Sequence, residues 1–297
     1  MISTVISEDI SFPEGGTFRR LHWPASASSL AKGTLILVHA TGLNASAYIP
    51  TLDAVDTDFS KMALSLRGHG ATTIPTKASD LRSWGAYADD IVTMVEAMEV
   101  TFPLVLIGHS MGGVASVIAA QTLGPEKVSK LVLIEPKIMN SIVRLLAYVP
   151  LLNRLAHQAP IVKKAARRRA LFASREDVLT LYQQRPFFKP WAPSALKAYI
   201  DEGFKDHPEG VQLSCHPKWE AATFAAQAHE FWQPLGALRE MEIPVTVIKG
   251  RDTNSALSSH IVSRLQLLGV DVIMTEGGHL IPQEKPKAVA DLLSTLL

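Results

Sequence analysis

The segment from Gly108 to Gly112 has the residue types and spacing for nucleophilic chemistry. It reads Gly-His-Ser-Met-Gly, directly follows the apolar run 104–107, and leads into the helix-compatible run 114–120. A serine at the centre of such a strand-to-helix turn is pushed out at the top of a sheet, with the positive end of the next helix beneath it. The turn leaves no room for bulky residues two positions before and after the serine, and glycine occupies both. The pattern predicts Ser110 as a nucleophile, which needs a base to take its proton.

The elements that must hold Ser110 are short apolar runs separated by helical patterns. Most runs are apolar without alternation, as expected for parallel strands that are covered on both faces. The predicted strands are 34–38, 61–66, 104–107, 131–134, 245–248 and 270–274. Helices are predicted over 84–98, from the serine turn to Gly124, and from Pro286 to the last residues. This alternation predicts an α/β fold with a doubly wound, mostly parallel sheet.

The strand-like runs disappear between Pro136 and Pro234. Helical patterns with prolines and many aromatic residues replace them, and Ser174 resembles the capping residue of a helix that runs through Tyr182. We interpret this stretch as a helical cap inserted between core strands, over the catalytic end of the sheet. The alternative is additional core packing. The expected division is 1–135 for the first part of the core, 136–234 for the cap and 235–297 for the second part of the core.

Composition and charge exclude several classes of partner. Apolar residues make up 47% and charged residues 19%, and the formal net charge is only +1. We therefore expect no binding of nucleic acid and no attraction to an anionic membrane. No apolar stretch approaches the ~20 residues of a membrane span, so no stable membrane insertion is expected. The sequence leaves the oligomeric state open.

The same features predict a cytoplasmic protein without a metal or cofactor. The first residues show no signal peptide. Cys215 is the only cysteine, so no disulfide can form within the chain, which suits a reducing compartment. No Cys/His or acidic cluster has metal-ligand spacing, and no glycine-rich nucleotide loop is present.

Two further segments have alternative interpretations. The basic run 163–169 contains Lys163, Lys164, Arg167, Arg168 and Arg169. Its spacing favours a solvated helix face over the docking of an anionic partner. The apolar segment 142–155 could be a lid helix that touches lipid, but we favour its burial against the core.

Four motifs, in order along the chain, resemble those of the α/β-hydrolase fold superfamily. They are His39-Ala40-Thr41-Gly42, Leu66-Arg67-Gly68-His69-Gly70, the turn at Ser110, and Glu276-Gly277-Gly278-His279. More narrowly, the chain is similar to cap-bearing bacterial serine hydrolases of the esterase type, whose first loop reads His-Ala-Thr-Gly. The resemblance covers the core, whereas the cap is matched only in position and helical character.

The resemblance implies a role for each site residue. Family order makes His279 the base, and the backbone N–H groups of Met111 and Thr41 an oxyanion hole. Asp252, which follows the predicted strand 245–248, is the expected acid, although it lies two residues past Gly250 where three is commoner. Glu135, at the end of the strand 131–134, is the alternative acid, and would otherwise tie the start of the cap to the core.

These roles predict a serine hydrolase that works through an acyl-enzyme. The expected substrate is a small apolar molecule, a carboxylic ester of a small or medium acid. Hydrolysis of C–C bonds, lactones or amides, and perhydrolysis, remain open because they use the same machinery. A non-catalytic ligand receptor on the same fold is the alternative from another class.

Overall fold

An eight-stranded sheet organises the protein in a computed structural model that describes residues 5–25, 31–139 and 156–297. The sheet has the strand order β1-β2-β4-β3-β5-β6-β10-β11, and a second sheet has the order β7-β9-β8. The strands are β1 (Ile6–Ser11), β2 (Thr17–Trp23), β3 (Thr34–Val38), β4 (Ser60–Ser65), β5 (Leu104–His109), β6 (Val128–Ile134), β7 (Leu171–Phe172), β8 (Phe204–His207), β9 (Gly210–Leu213), β10 (Val245–Gly250) and β11 (Asp271–Thr275).

All six predicted strands are present, and they are parallel to one another from β4 to β11. Strands β1 and β2 add an antiparallel hairpin at the edge, which the sequence patterns do not predict. The outer strand β1 is largely exposed. Its Glu8 and Asp9 lie opposite Arg20 and Arg19 of β2 and form ion pairs with them. Charged cross-strand pairs hold this edge, so its sequence lacks an apolar run.

Helices cover both faces of the large sheet, and others belong to the segment between β6 and β10. They are α1 (Ile49–Asp53), α2 (Gly85–Ala97), α3 (Met111–Leu123), α4 (Pro160–Ala166), α5 (Arg175–Gln183), α6 (Pro193–Gly203), α7 (Pro217–Ala225), α8 (Trp232–Glu240), α9 (Ser259–Leu267), α10 (Ile281–Glu284) and α11 (Pro286–Leu296). Ile36 and Val38 of β3 pack in the same cluster as α2 and α3, whereas Leu35 and Leu37 pack with α1 and α11. This double coverage explains why the central strands contain apolar runs without alternation.

The insertion between β6 and β10 is not wholly helical. Its described residues contain helices α4 to α7 and also the three-stranded sheet, which corrects the expectation that strands disappear here. These strands have two to four residues each, which is too short for a clear period-two signal. Gly210, at φ +128°, opens β9 after the turn from β8.

The edges of the insertion also differ in detail from the expected boundaries. The predicted end at 234 falls inside α8, a helix that packs on the core helix α3. The apolar segment 142–155 lies outside the described residues. Phe188 and Trp191 of the insertion are buried in the same cluster as Leu37 and Ile107 of the sheet. The insertion therefore contributes to the hydrophobic core.

Candidate active site

Ser110 lies in the sharp turn between β5 and α3. Its backbone has φ 55° and ψ −113°, a strained conformation for a residue with a side chain. A Cβ atom on Gly112 would lie 2.4 Å from the carbonyl oxygen of Val38, and one on Gly108 would lie 2.5 Å from that of Gly112. Both positions therefore need glycine, as the motif predicts. The turn leaves Ser110 only 7% exposed.

His279 lies between Ser110 and a carboxylate. Its Nε2 is 3.0 Å from Ser110 Oγ, and its Nδ1 is 3.3 Å from Glu135 Oε2. Since an ionised carboxylate can only accept, the hydrogen-bond network assigns the proton to Nδ1. The unprotonated Nε2 is then free to accept the hydroxyl proton of Ser110. The three side chains thus lie in the order that a nucleophile, a general base and an acid require.

Glu135 is the candidate acid whose carboxylate lies against His279. It follows β6 directly, is fully buried, and has a positive φ of 46°. Its carboxylate accepts three further hydrogen bonds, from the Gly250 N–H at 2.7 Å, the Ser255 hydroxyl at 2.8 Å and the Ala256 N–H at 2.6 Å. Burial raises the pKa of Glu135, but these bonds and the one from His279 outweigh it, so the net pKa lies below its ordinary value.

Asp252, the acid preferred from the sequence, lies elsewhere. Its side chain is exposed, and among the described residues it makes no hydrogen bond. Its backbone N–H donates to the Gly277 carbonyl oxygen at 3.2 Å. The short spacing after Gly250 ties the backbone to the His279 loop and leaves the Asp252 side chain in solvent. The geometry thus favours the alternative acid, whose signal was its place at the carboxyl end of the strand beside β5.

The two expected oxyanion donors come from the residue after Ser110 and from residues 39–44, which we call the oxyanion loop. Neither the Met111 N–H nor the Thr41 N–H donates a hydrogen bond to another described residue. Close approach of α3 to the end of β3, through Gly112, brings the start of the helix against this loop. Free N–H groups at such a junction can stabilise a developing negative charge.

A sequence model described as "Alpha/beta hydrolase family" matches residues 35–292 of the chain. The chain belongs to this family. The predicted resemblance and fold class are thereby confirmed. No curated protein is significantly similar in sequence to this α/β hydrolase.

Solved structures with the same fold have low sequence identity to this α/β hydrolase. E-2-(acetamidomethylene)succinate hydrolase is 18% identical with a TM-score of 0.73, covering 98% of each chain. A thioesterase domain from the curacin biosynthetic pathway is 17% identical with a TM-score of 0.72, covering 98% of this chain and 99% of its own. A carboxylesterase of the thaumarchaeon Nitrososphaera gargenis is 18% identical with a TM-score of 0.63, covering 97% of each chain. These likenesses show the fold alone.

Two buried histidines fix the oxyanion loop of this α/β hydrolase. His39 Nε2 accepts the Leu66 N–H at 3.0 Å, and His69 Nε2 accepts the Gly42 N–H at 3.1 Å. Each ring donates its Nδ1–H to a nearby carbonyl oxygen, so both are neutral. Burial lowers the pKa of His39 to about 4 and that of His69 well below its ordinary value. These bonds tie the loop to Leu66 and to the segment around His69.

His109 connects the oxyanion loop to His279. The Ala40 N–H donates to the Tyr48 hydroxyl at 3.0 Å, which donates to His109 Nδ1 at 2.7 Å. His109 Nε2–H then donates to the His279 carbonyl oxygen at 2.8 Å. Burial lowers the pKa of His109 to about 3, so the ring stays neutral. The chain of bonds joins both sides of the site.

One basic residue of the run 163–169 does not lie on a solvated face. The other four, Lys163, Lys164, Arg167 and Arg169, are exposed, as predicted. Arg168 instead forms an ion pair with the buried Glu220, 2.6 Å from Nη1 to Oε2. Helical periodicity alone does not distinguish the paired Arg168 from its exposed neighbours, because the partner Glu220 is distant in sequence.

The described part of the chain has no cluster of three or more His, Cys, Asp or Glu side chains that could hold a metal. None of the helices within it is long and apolar enough to cross a membrane.

Proposed function

We propose that this protein is a serine hydrolase with the triad Ser110, His279 and Glu135, acting on carboxylic esters of small or medium apolar acids. The observation that carries the proposal is the continuous hydrogen-bonded line from Ser110 Oγ through the His279 ring to Glu135 Oε2. Each member has the partner that its role requires.

The chemistry begins when His279 Nε2 takes the proton of the Ser110 hydroxyl as its oxygen attacks the ester carbonyl. The carbonyl oxygen becomes an oxyanion that the N–H groups of Thr41 and Met111 would stabilise. The ionised Glu135 stabilises the imidazolium that forms. His279 gives its proton to the leaving alcohol, and an acyl-enzyme remains. Water, deprotonated by His279, then attacks the acyl-enzyme and releases the acid and Ser110.

We propose an apolar acyl group because helices of the insertion place apolar side chains close to the proposed site. Val162 and Ala165 of α4 pack with Ala221 and Ala225 of α7 in an apolar cluster. The same helix α7 carries Glu220, which contacts the oxyanion loop at Gly42. Small apolar side chains therefore lie on an element that borders the proposed site. We also propose a cytoplasmic location, because the single cysteine, Cys215, is buried and no disulfide can form within the chain.

The test is a screen of the purified protein against p-nitrophenyl esters of graded acyl length, with Ser110→Ala as the control. We expect turnover that falls off for long acyl chains and that the alanine variant lacks. A fluorophosphonate should label Ser110 in the wild type and leave Ser110→Ala unlabelled.

The same screen should include an amide, a lactone and a thioester, and hydrogen peroxide as an alternative acceptor of the acyl group. One solved protein of this fold is named E-2-(acetamidomethylene)succinate hydrolase, and another is a thioesterase domain. Turnover of one of these with no turnover of esters would replace the proposed substrate class. Labelling of Ser110 without turnover of any substrate would favour the non-catalytic receptor.

A further inference from the structure

Polar side chains of the insertion meet beside the oxyanion loop. Arg168 follows α4, and its Nη1 lies 2.6 Å from Glu220 Oε2 on α7. Its Nη2 lies 3.3 Å from the hydroxyl oxygens of both Tyr182 and Tyr199. Glu220 and both tyrosines are buried. Three helices of the insertion, α5, α6 and α7, therefore converge on one guanidinium.

The cluster touches the oxyanion loop at Gly42. The Tyr199 hydroxyl donates to the Gly42 carbonyl oxygen at 3.2 Å. A Cβ atom on Gly42 would lie 2.7 Å from Glu220 Oε1. Consecutive Cα atoms are about 3.8 Å apart, so the Glu220 carboxylate lies within roughly 10 Å of the Thr41 N–H.

A carboxylate at this distance has an electrostatic consequence for the reaction. An uncompensated negative charge beside the oxyanion loop would oppose the oxyanion that forms during attack by Ser110. Arg168 is the cation that pairs with Glu220 among the described residues. Buried ion pairs contribute little net stability compared with apolar packing, so fold stability alone does not account for this pair.

We propose that Arg168 is a positioning residue for hydrolysis, which neutralises the Glu220 carboxylate beside the oxyanion loop. The inference rests on the proposed function, because it concerns the oxyanion formed by the same Ser110. It goes beyond that function by making the charge balance of the insertion a determinant of the reaction rate.

A charge series tests the proposal at one mildly alkaline pH. The variants are Arg168→Met, Arg168→Lys, Glu220→Gln and the double variant Arg168→Met/Glu220→Gln. The readouts are the rate of Ser110 labelling by a fluorophosphonate and the kcat and KM for a short ester. Arg168→Met should slow both reactions on the order of ten- to a hundredfold, with little change in KM. Arg168→Lys should keep most of the rate because it keeps the charge.

The double variant separates charge balance from a structural role. It removes the uncompensated carboxylate, so we expect it to recover most of the rate lost in Arg168→Met. A double variant as slow as Arg168→Met, or an Arg168→Met enzyme as fast as the wild type, would overturn the proposal. If circular dichroism shows that Arg168→Met does not fold, the double variant is compared with Glu220→Gln instead. A double variant much slower than Glu220→Gln overturns the proposal.

The wild type is the control for the proposed function itself. A wild type whose Ser110 does not react with the fluorophosphonate refutes the serine hydrolase and this inference together. A reactive wild type whose rate is insensitive to the charge series refutes this inference alone.

Discussion

Replacing Glu135 by glutamine tests the assignment of the acid most directly. The carboxylate accepts four hydrogen bonds, two at each oxygen. Glutamine keeps one acceptor oxygen and presents an NH₂ group at the other position. The better orientation turns the NH₂ group toward Ser255, whose hydroxyl can rotate to accept, and leaves the oxygen facing His279. In that orientation the buried Gly250 N–H loses its partner.

The size of the expected fall in kcat follows from the negative charge that Glu135→Gln removes. An ion pair at about 4 Å is worth about 4 kcal/mol at an effective dielectric constant of about 20, and Glu135 lies 3.3 Å from the ring that becomes an imidazolium. We therefore expect Glu135→Gln to lower kcat about a thousandfold. One unsatisfied buried N–H should also lower the free energy of unfolding by about 1–3 kcal/mol.

Asp252→Asn is the matched control, because it makes the same change of carboxylate to amide on an exposed side chain. Its kcat and its unfolding free energy should stay close to the wild-type values. The assay is the steady-state hydrolysis of a short ester, with urea unfolding measured in parallel. An Asp252→Asn enzyme that loses turnover while Glu135→Gln keeps it would refute the reasoning and restore the acid preferred from the sequence.

Three further outcomes are expected. Gly112→Ala should abolish most turnover, since its Cβ would lie 2.4 Å from the Val38 carbonyl oxygen and push α3 from the oxyanion loop; the ester assay checks this. The free energy of unfolding should fall as pH drops from about 6.5 to 4. His39 and His109 take up protons in the unfolded state below about pH 6.5, but in the folded state their pKa values are about 4 and 3. Urea titrations at both pH values measure the loss, and equal stabilities would contradict it. Glu202→Ala should lower the melting temperature, because the Glu202 carboxylate accepts bonds from four donors of the core, and calorimetry tests this.

The large sheet could be predicted from the sequence because its central strands are buried on both faces. Burial on both faces leaves an uninterrupted apolar run, and such runs mark β3 and β5 without reference to distant residues. The edge strand β1 and the short strands of the insertion carry no such run. Their pairing depends on cross-strand partners such as Asp9 and Arg19, which only the fold brings together.

The candidate site could likewise be predicted only where its residues lie in local motifs. Ser110 and His279 lie in local motifs, and the structure brings both together. The acid could not be chosen from local spacing, because Glu135 reaches His279 across 144 residues of chain. Arg168 was misjudged for the same reason: its exposure depends on Glu220, 52 residues away in the chain.

The position of Glu135 affects how the insertion could be exchanged between relatives. The chain passes from this acid straight into the insertion. The Lys137 N–H bonds to the Ser110 carbonyl oxygen at 3.2 Å, and Ile138 is buried in the core cluster. The first residues of the insertion therefore help to hold Ser110 of the proposed triad. A chimera that grafts a foreign insertion should keep the native chain through Ile138 and resume it before Phe231, which precedes α8. Grafts cut directly after Glu135 should lose the alignment of the triad, whatever the substrate preference of the donor.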